Sequence, residues 1–137
     1  MIEMEVASIR MGLMSTQRVV ILKEKNGERH LPIWIGISEA ESIMIGVQGG
    51  DMPRPLTHDM TLSIIKCLGG QVNMAIISNL RNDCFYSDLI LTVDNKKVAI
   101  DCRPSDAISI AVRANVPIFA EEEVLNAAGI ILKEGSS

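Results

Sequence analysis

The sequence predicts an α/β protein of the α+β type. One mixed, largely antiparallel sheet is expected, with about four helices packed against it in a single domain. Three observations carry this. Short β-branched or alternating runs are separated by the turn dipeptides Asn26-Gly27, Asn82-Asp83 and Asp94-Asn95. Apolar residues at helical spacing fill the intervals after Gly36, after Pro55 and after Pro104. The chain of 137 residues is 47% apolar but only 3% aromatic, so its core is aliphatic and large enough for one domain.

Met4 to Leu13 reads as a strand whose apolar residues change phase after Val6, the mark of a bulge or of burial on both faces. Val19-Val20-Ile21-Leu22 is a continuous β-branched run, expected in a central strand. Asn26-Gly27 tolerates positive φ at both central positions of a tight hairpin, and Leu31, Ile33 and Ile35 alternate beyond it. The first part of the chain is therefore an antiparallel meander. A helix follows, with Ser38 and Glu41 spaced as a capping box and Ala40, Ile43, Met44 and Val47 as its apolar face. Gly49 to Pro55 is a glycine- and proline-rich loop. Thr57 suits the N-cap of a second helix carrying Leu56, Met60, Ile64, Cys67 and Leu68 at helical spacing, ended by Gly69 or Gly70.

Val72, Met74 and Ile76 alternate as a strand, Tyr86 to Val93 returns it, and Lys97 to Cys102 follows the next turn. Pro104 suits the first position of a third helix, with Ala107, Ile108, Ala111 and Val112 inward. Ile118-Phe119 is a short buried strand. Glu121, Glu122 and Glu123 favour the positive end of a last helix, closed by Gly129. The domain is placed at residues 1–132, with a frayed tail at 133–137. The two halves share a meander-then-helix outline without a residue-level repeat.

The net charge of −4 gives no overall positive field toward nucleic acid. Arg10, Arg18, Lys23, Lys25 and Arg29 tint the first hairpin basic, but Glu3, Glu5, Glu24 and Glu28 nearly balance them. Cys67, Cys84 and Cys102 are odd in number and widely spaced, so buried free thiols in a reducing cytoplasm are expected. The N-terminus has no basic, apolar leader pattern, and no apolar run is long enough for a membrane span. Met44, Met60 and Met74 fall at periodic positions and read as core filler, and Trp34 as core or subunit-interface packing.

Chemistry-bearing residues gather at three junctions: Ser38-Glu39-Ala40-Glu41, Arg54-Pro55-Leu56-Thr57-His58-Asp59, and Asp101-Cys102-Arg103-Pro104-Ser105-Asp106-Ala107. Asp101 and Asp106 bracket a strand-to-helix turn and could hold a divalent cation, helped by Glu39 and Glu41. Equally, Asp106 with Ser105 could cap the helix while Asp101 pairs with Arg103. His58 in reach of a carboxylate can act as a general base or metal ligand, and His58 or Asp59 could activate a water, or both can be ordinary helix-start residues. Neighbouring helix positions diverge, so His58 and Asp59 cannot form a dyad with each other. Arg54 and Arg103 could neutralise phosphate. His30 reads as a surface residue of the hairpin.

Leu31-Pro32-Ile33-Trp34-Ile35-Gly36 running into Ser38-Glu39-Ala40, then Arg54 to Asp59, then Asp101 to Ala107 with Pro117-Ile118-Phe119, together resemble the three signatures of the bifunctional nuclease family. The resemblance covers about residues 1–132. It implies an α/β fold with a mixed sheet, an oligomeric state, and cleavage of RNA and DNA, the activity that gave plant members their name. Joined to the resemblance, the junctions suggest a nuclease of low sequence specificity that depends on Mg2+ or Mn2+. Asp101, Asp106, Glu39 and Glu41 are the candidate metal ligands. His58, Asp59, Asp101 and Asp106 are the candidate catalytic residues, and Arg54 and Arg103 the candidate phosphate contacts. A cytoplasmic protein is expected, with nucleic acid as partner, no membrane, and a homodimer or higher homo-oligomer. The competing reading is a non-catalytic oligomeric module that binds an anionic ligand at helix N-termini. A third makes the junctions structural hubs that fix helix starts to the sheet.

Overall fold

In the computed structural model, residues 1–13 and 16–132 are described. The tail expected at 133–137 lies outside them. The described residues form eight strands and four helices. β1 (Ile2–Met11), β2 (Arg18–Glu24) and β3 (Arg29–Ile35) make the first meander, followed by α1 (Ile37–Gln48) and α2 (Thr57–Cys67). β4 (Gly70–Arg81), β5 (Cys84–Val93) and β6 (Lys96–Cys102) make the second, followed by α3 (Pro104–Ala114), β7 (Ile118–Ala120), α4 (Glu122–Ala128) and β8 (Ile130–Ile131). They join in one mixed sheet of order β6-β5-β4-β7-β1-β2-β3-β8. This is the α+β, largely antiparallel single domain that the patterning predicts.

The two meanders run outward in opposite directions from β7. That short strand pairs parallel with β4 (Ala75↔Ile118) and antiparallel with β1 (Ile2↔Ala120). Its flanks continue the ladder: the Ala75 N–H donates to the Pro117 carbonyl at 3.1 Å, and the Glu121 N–H to the Ile77 carbonyl at 3.0 Å. The core is aliphatic, with Val20, Leu22, Leu31, Ile33, Ile43, Ile77, Ile108 and Leu125 at its centre. β8 was not foreseen; it is only two residues long and closes on Arg29 and His30.

The phase change in β1 is a bulge between Val6 and Ser8. A similar irregularity between Val72 and Met74 shifts β4, so Val72, Ala75 and Ile77 point inward instead of Val72, Met74 and Ile76. Asn82-Asp83 and Asp94-Asn95 hold positive φ at both positions, as two-residue hairpin turns of the primed type require. Asn26-Gly27 does not. That connection spans residues 25–28 and wraps the Glu24 carboxylate, to which the Arg29 N–H donates at 3.3 Å. A Cβ on Gly27 would overlap Glu24 Oε2, so the glycine provides space there rather than a left-handed turn. The loop is tied down by Arg29, whose guanidinium bridges Glu24 (2.6 Å) and Glu122 of α4 (2.9 Å).

Helix starts fall one or two residues earlier than their caps suggest. Gly36, not Ser38, is the N-cap of α1, so Ser38 and Glu41 form no capping box. Leu56 occupies the N-cap of α2, and Thr57 is already helical. Helix faces also differ. α1 buries Ala40 and Ile43, leaving Met44 and Val47 outside; α2 buries Leu62, leaving Met60, Ile64 and Leu68 outside. Met44 and Met60 are therefore not core filler, and Met74 is only half-buried. Trp34 is 61% exposed, which removes core packing as its role. Cys67 and Cys84 are exposed and Cys102 is half-buried, so the thiols are not the buried set expected. Among the described residues, no helix is long and apolar enough to cross a membrane.

Candidate functional site: a hydrogen-bonded cluster at three helix starts

The three junctions meet in space because α1, α2 and α3 pack with their N-terminal turns together. α1 can approach α3 closely because Gly46 faces it; a Cβ there would stand 2.7 Å from Val112 Cγ2 and 2.8 Å from Arg113 Nη1. None of these three helices is closed by a hydrogen bond from its N-cap side chain. Their positive ends instead face carboxylates in each first turn: Glu39, Asp59 and Asp106.

Asp106 is the centre of the cluster. Its Oδ2 accepts the Arg103 Nε–H at 3.0 Å, and its Oδ1 accepts Arg103 Nη2 at 3.1 Å and His58 Nε2 at 2.9 Å. Arg103 also lies 3.8 Å from Glu39 Oε2. Burial acts to raise the Asp106 carboxyl, but the Arg103 and His58 hydrogen bonds outweigh it and hold the group below its ordinary value. From His58 the chain continues inward: Nδ1 is 2.8 Å from Ser42 Oγ, which is 2.6 Å from Ser109 Oγ. Arg113 Nη1 donates to that Ser109 hydroxyl at 2.6 Å and to the Ser109 carbonyl at 3.0 Å, while its Nε donates to Asp59 Oδ1 at 2.8 Å. Asp59 Oδ2 accepts the Leu56 N–H at 2.8 Å. That backbone bond is the largest influence on Asp59; with Arg113 it outweighs desolvation and keeps the carboxyl below its ordinary value.

Only the two ends of the chain are fixed in direction: the Arg113 guanidinium donates and the Asp106 carboxylate accepts. Arg113 donates to Ser109, so the buried Ser109 hydroxyl is free to give its hydrogen to Ser42. One direction consistent with both ends has Ser42 donating to His58 Nδ1 and His58 giving its Nε2–H to Asp106. Two arginines thus stand at opposite ends of a chain of two hydroxyls, an imidazole and a carboxylate. The His58 side chain is 13% exposed, so it is not the solvent-facing helix-start histidine of the plainer sequence reading.

Of the residues singled out in the sequence, Glu39, His58, Arg103 and Asp106 are brought into one cluster. Asp59 connects to it through Arg113. Arg54 lies beyond that pair, on a groove of about 910 Å³ that Asp59, Lys66 and Arg113 also line. Asp101 stands apart on edge strand β6, opposite Asp88 of β5, and Glu41 is exposed. The proposed ligands Asp101, Asp106, Glu39 and Glu41 therefore do not converge. Among the described residues, no three histidine, cysteine or carboxylate groups are placed to hold one metal ion. Between Asp106 and Glu39 the Arg103 guanidinium already stands where a cation would bind. Ser42, Ser109 and Arg113 were missed. The available signal was a polar stripe along α3, Arg103, Asp106, Ser109 and Arg113, at helical spacing within an otherwise apolar helix.

Residues 20–133 match the family model described as the bifunctional nuclease domain. An uncharacterized protein of Mycobacterium tuberculosis is 43% identical over 134 residues, covering 98% of this chain and 80% of the relative. Bifunctional nuclease 1 of Oryza sativa subsp. japonica is 27% identical over 121 residues, 85% of this chain and 36% of the plant protein. Bifunctional nuclease 2 of Arabidopsis thaliana is 28% identical over 103 residues, 72% of this chain and 31% of the plant protein.

Proposed function

The chain belongs to the bifunctional nuclease domain family, and from that membership we propose that it hydrolyses phosphodiester bonds in RNA or DNA with little sequence preference. The observation that carries the reading is Arg103. Its side chain is 65% exposed, yet its guanidinium is forked onto the carboxylate that holds His58. A phosphodiester offers a similar pair of anionic oxygens, so the fork can pass from Asp106 to an incoming phosphate.

That exchange frees Asp106 Oδ2 while Oδ1 stays on the His58 Nε2–H. The freed oxygen orients a water toward phosphorus. As the water oxygen bonds to phosphorus and the bond to the leaving oxygen breaks, the water proton passes to the Asp106–His58 pair, and the leaving oxygen takes a proton in return. Arg103 holds the charge that builds on the phosphoryl oxygens. Arg54 and Lys66, on the neighbouring groove, contact adjoining phosphates of the strand. Among the described residues no three histidine, cysteine or carboxylate groups converge on one ion, so no step is routed through a cation.

The second reading, a non-catalytic module gripping an anion, is favoured by the convergence of three helix starts on one exposed arginine. Cleavage assays of the full chain on single-stranded RNA and DNA separate the two readings, run with magnesium, with manganese and with chelator. Cleavage is expected in all three conditions, and a drop on the order of 10²-fold or more in Arg103→Ala and His58→Ala. Wild-type protein that cuts neither substrate above a mock preparation, but binds inorganic phosphate in an Arg103-dependent way, favours the binding module. Cleavage that chelator abolishes and magnesium restores contradicts the cation-free step.

A further inference from the structure

We propose that β6 is a docking strand for a second copy of this chain, pairing antiparallel with its own counterpart about a two-fold axis at Ala99. β6 is one edge of the sheet, and Lys96 to Asp101 are all exposed along it. The opposite edge is the two-residue β8.

The register follows from the hairpin that precedes β6. Asp94 and Asn95, with φ of 51° and 64°, form a two-residue turn. Such a turn is closed by a hydrogen-bonded pair, here Val93 and Lys96, and bonded and non-bonded pairs alternate beyond it. Val98 and Ile100 therefore exchange hydrogen bonds with Leu91 and Leu89. Lys97, Ala99 and Asp101 sit opposite Thr92, Ile90 and Asp88 and turn their own N–H and C=O groups toward the free edge. A second β6 laid antiparallel with Ala99 on Ala99 sets Lys97 against the partner's Asp101, and Asp101 against the partner's Lys97. All outward main-chain groups from Lys97 to Asp101 then find partners in that one register.

The side chains agree with it. Read in either direction, the strand is self-complementary: lysine, branched aliphatic, alanine, branched aliphatic, aspartate. Lys97 meets the partner's Asp101 on one face. On the other, Val98 (36% exposed) meets the partner's Ile100, whose counterpart in this chain is 43% exposed; this extends the apolar row begun by Leu89 and Leu91. Within one chain Asp101 stands directly opposite Asp88, a like-charge pair that weakens the ladder. The partner's Lys97 supplies the missing counter-charge. Edge lysines commonly keep sheets apart. A guard of one sign would repel a copy in every register, whereas this strand, with charges of opposite sign at its two ends, attracts one in a single register.

The test is the self-association of the full chain by sedimentation, with hydrogen exchange read at individual amides. The wild type is expected to form a dimer in which the Lys97, Ala99 and Asp101 amides are protected, and to lose that protection on dilution. Lys97→Asp and Asp101→Lys should each weaken the dimer about tenfold or more, since each turns two attractive pairs repulsive, and the double variant should recover most of the loss. Ala99→Pro, which removes an outward N–H at an edge without touching an internal ladder bond, should leave a folded monomer. The proposal is overturned by a chain that stays monomeric at about 100 μM, or by an oligomer indifferent to these variants; the latter would place the contact elsewhere, such as the exposed Met60–Ile64–Leu68 face of α2.

Discussion

Replacing Arg113 by methionine tests whether the relay braces the three helices. The substitution keeps most of the aliphatic stem and removes the guanidinium. Three donated hydrogen bonds go with it, to Asp59 Oδ1, the Ser109 hydroxyl and the Ser109 carbonyl, from a side chain only 7% exposed. Removing one member of a fully buried ion pair costs about 3–5 kcal/mol. Here the cost is smaller, because Asp59 is 38% exposed and keeps the Leu56 N–H, and Ser109 keeps Ser42. Charge-assisted hydrogen bonds contribute about 1.5–3 kcal/mol, so a loss of about 2–3 kcal/mol is expected. For a chain of this length that lowers Tm by roughly 6–9 °C. Reversible urea unfolding of Arg113→Met, Asp59→Asn and the double variant measures both the loss and the coupling between the two residues. A loss below about 0.5 kcal/mol with no coupling would show that the relay does not brace the fold.

Two further outcomes follow from the same geometry. Long-range nitrogen–proton correlation spectra should find His58 protonated at Nε2 and bare at Nδ1, and Ser109→Ala should weaken that preference; a ring protonated at Nδ1 contradicts the direction of the relay. Asp59 and Asp106 are both held below the ordinary carboxylate value of 3.8. A depressed native value contributes stability above the unfolded-state value and loses it as pH falls through the native one. Unfolding free energy should therefore hold at neutral pH and fall below about pH 4, less steeply in Asp106→Asn; an unchanged slope in that variant refutes the assignment.

Much of the sheet was legible because strand alternation and turn dipeptides are local. Asn82-Asp83 and Asp94-Asn95 mark their turns by conformations that few residues tolerate. The helix faces were not legible in the same way. α2 carries apolar residues on two sides, and the more regular spacing, Met60–Ile64–Leu68, belongs to the outer one, while Leu62 and Ile65 face the core. Periodicity cannot choose between two such stripes without the neighbouring elements. In β4 the irregularity after Val72 reassigns Met74 to Ile77 to the other face, before a second one after Ile77 shifts the register again. At the cluster, polar residues at helix starts stood out, but their partners did not. Ser42 lies mid-helix and pairs with residues on two other helices, Ser109 across a separation of 67 positions, a relation no local pattern records.

β7 contributes only three residues, yet it is what makes two meanders into one sheet. Its partners lie at opposite ends of the folding history. β4 precedes it by about forty residues, and β1 lies far earlier in the chain, in the other meander. Each meander can form from short-range pairings as soon as its own residues are available. The seam between them cannot close until residue 120 is present, and β1 keeps an unpaired side until then. During synthesis, the protein therefore passes through a stage in which a finished hairpin sheet presents an open edge. Docking of β7, the contact of greatest sequence separation in the sheet, is the step that loop closure is expected to make slow.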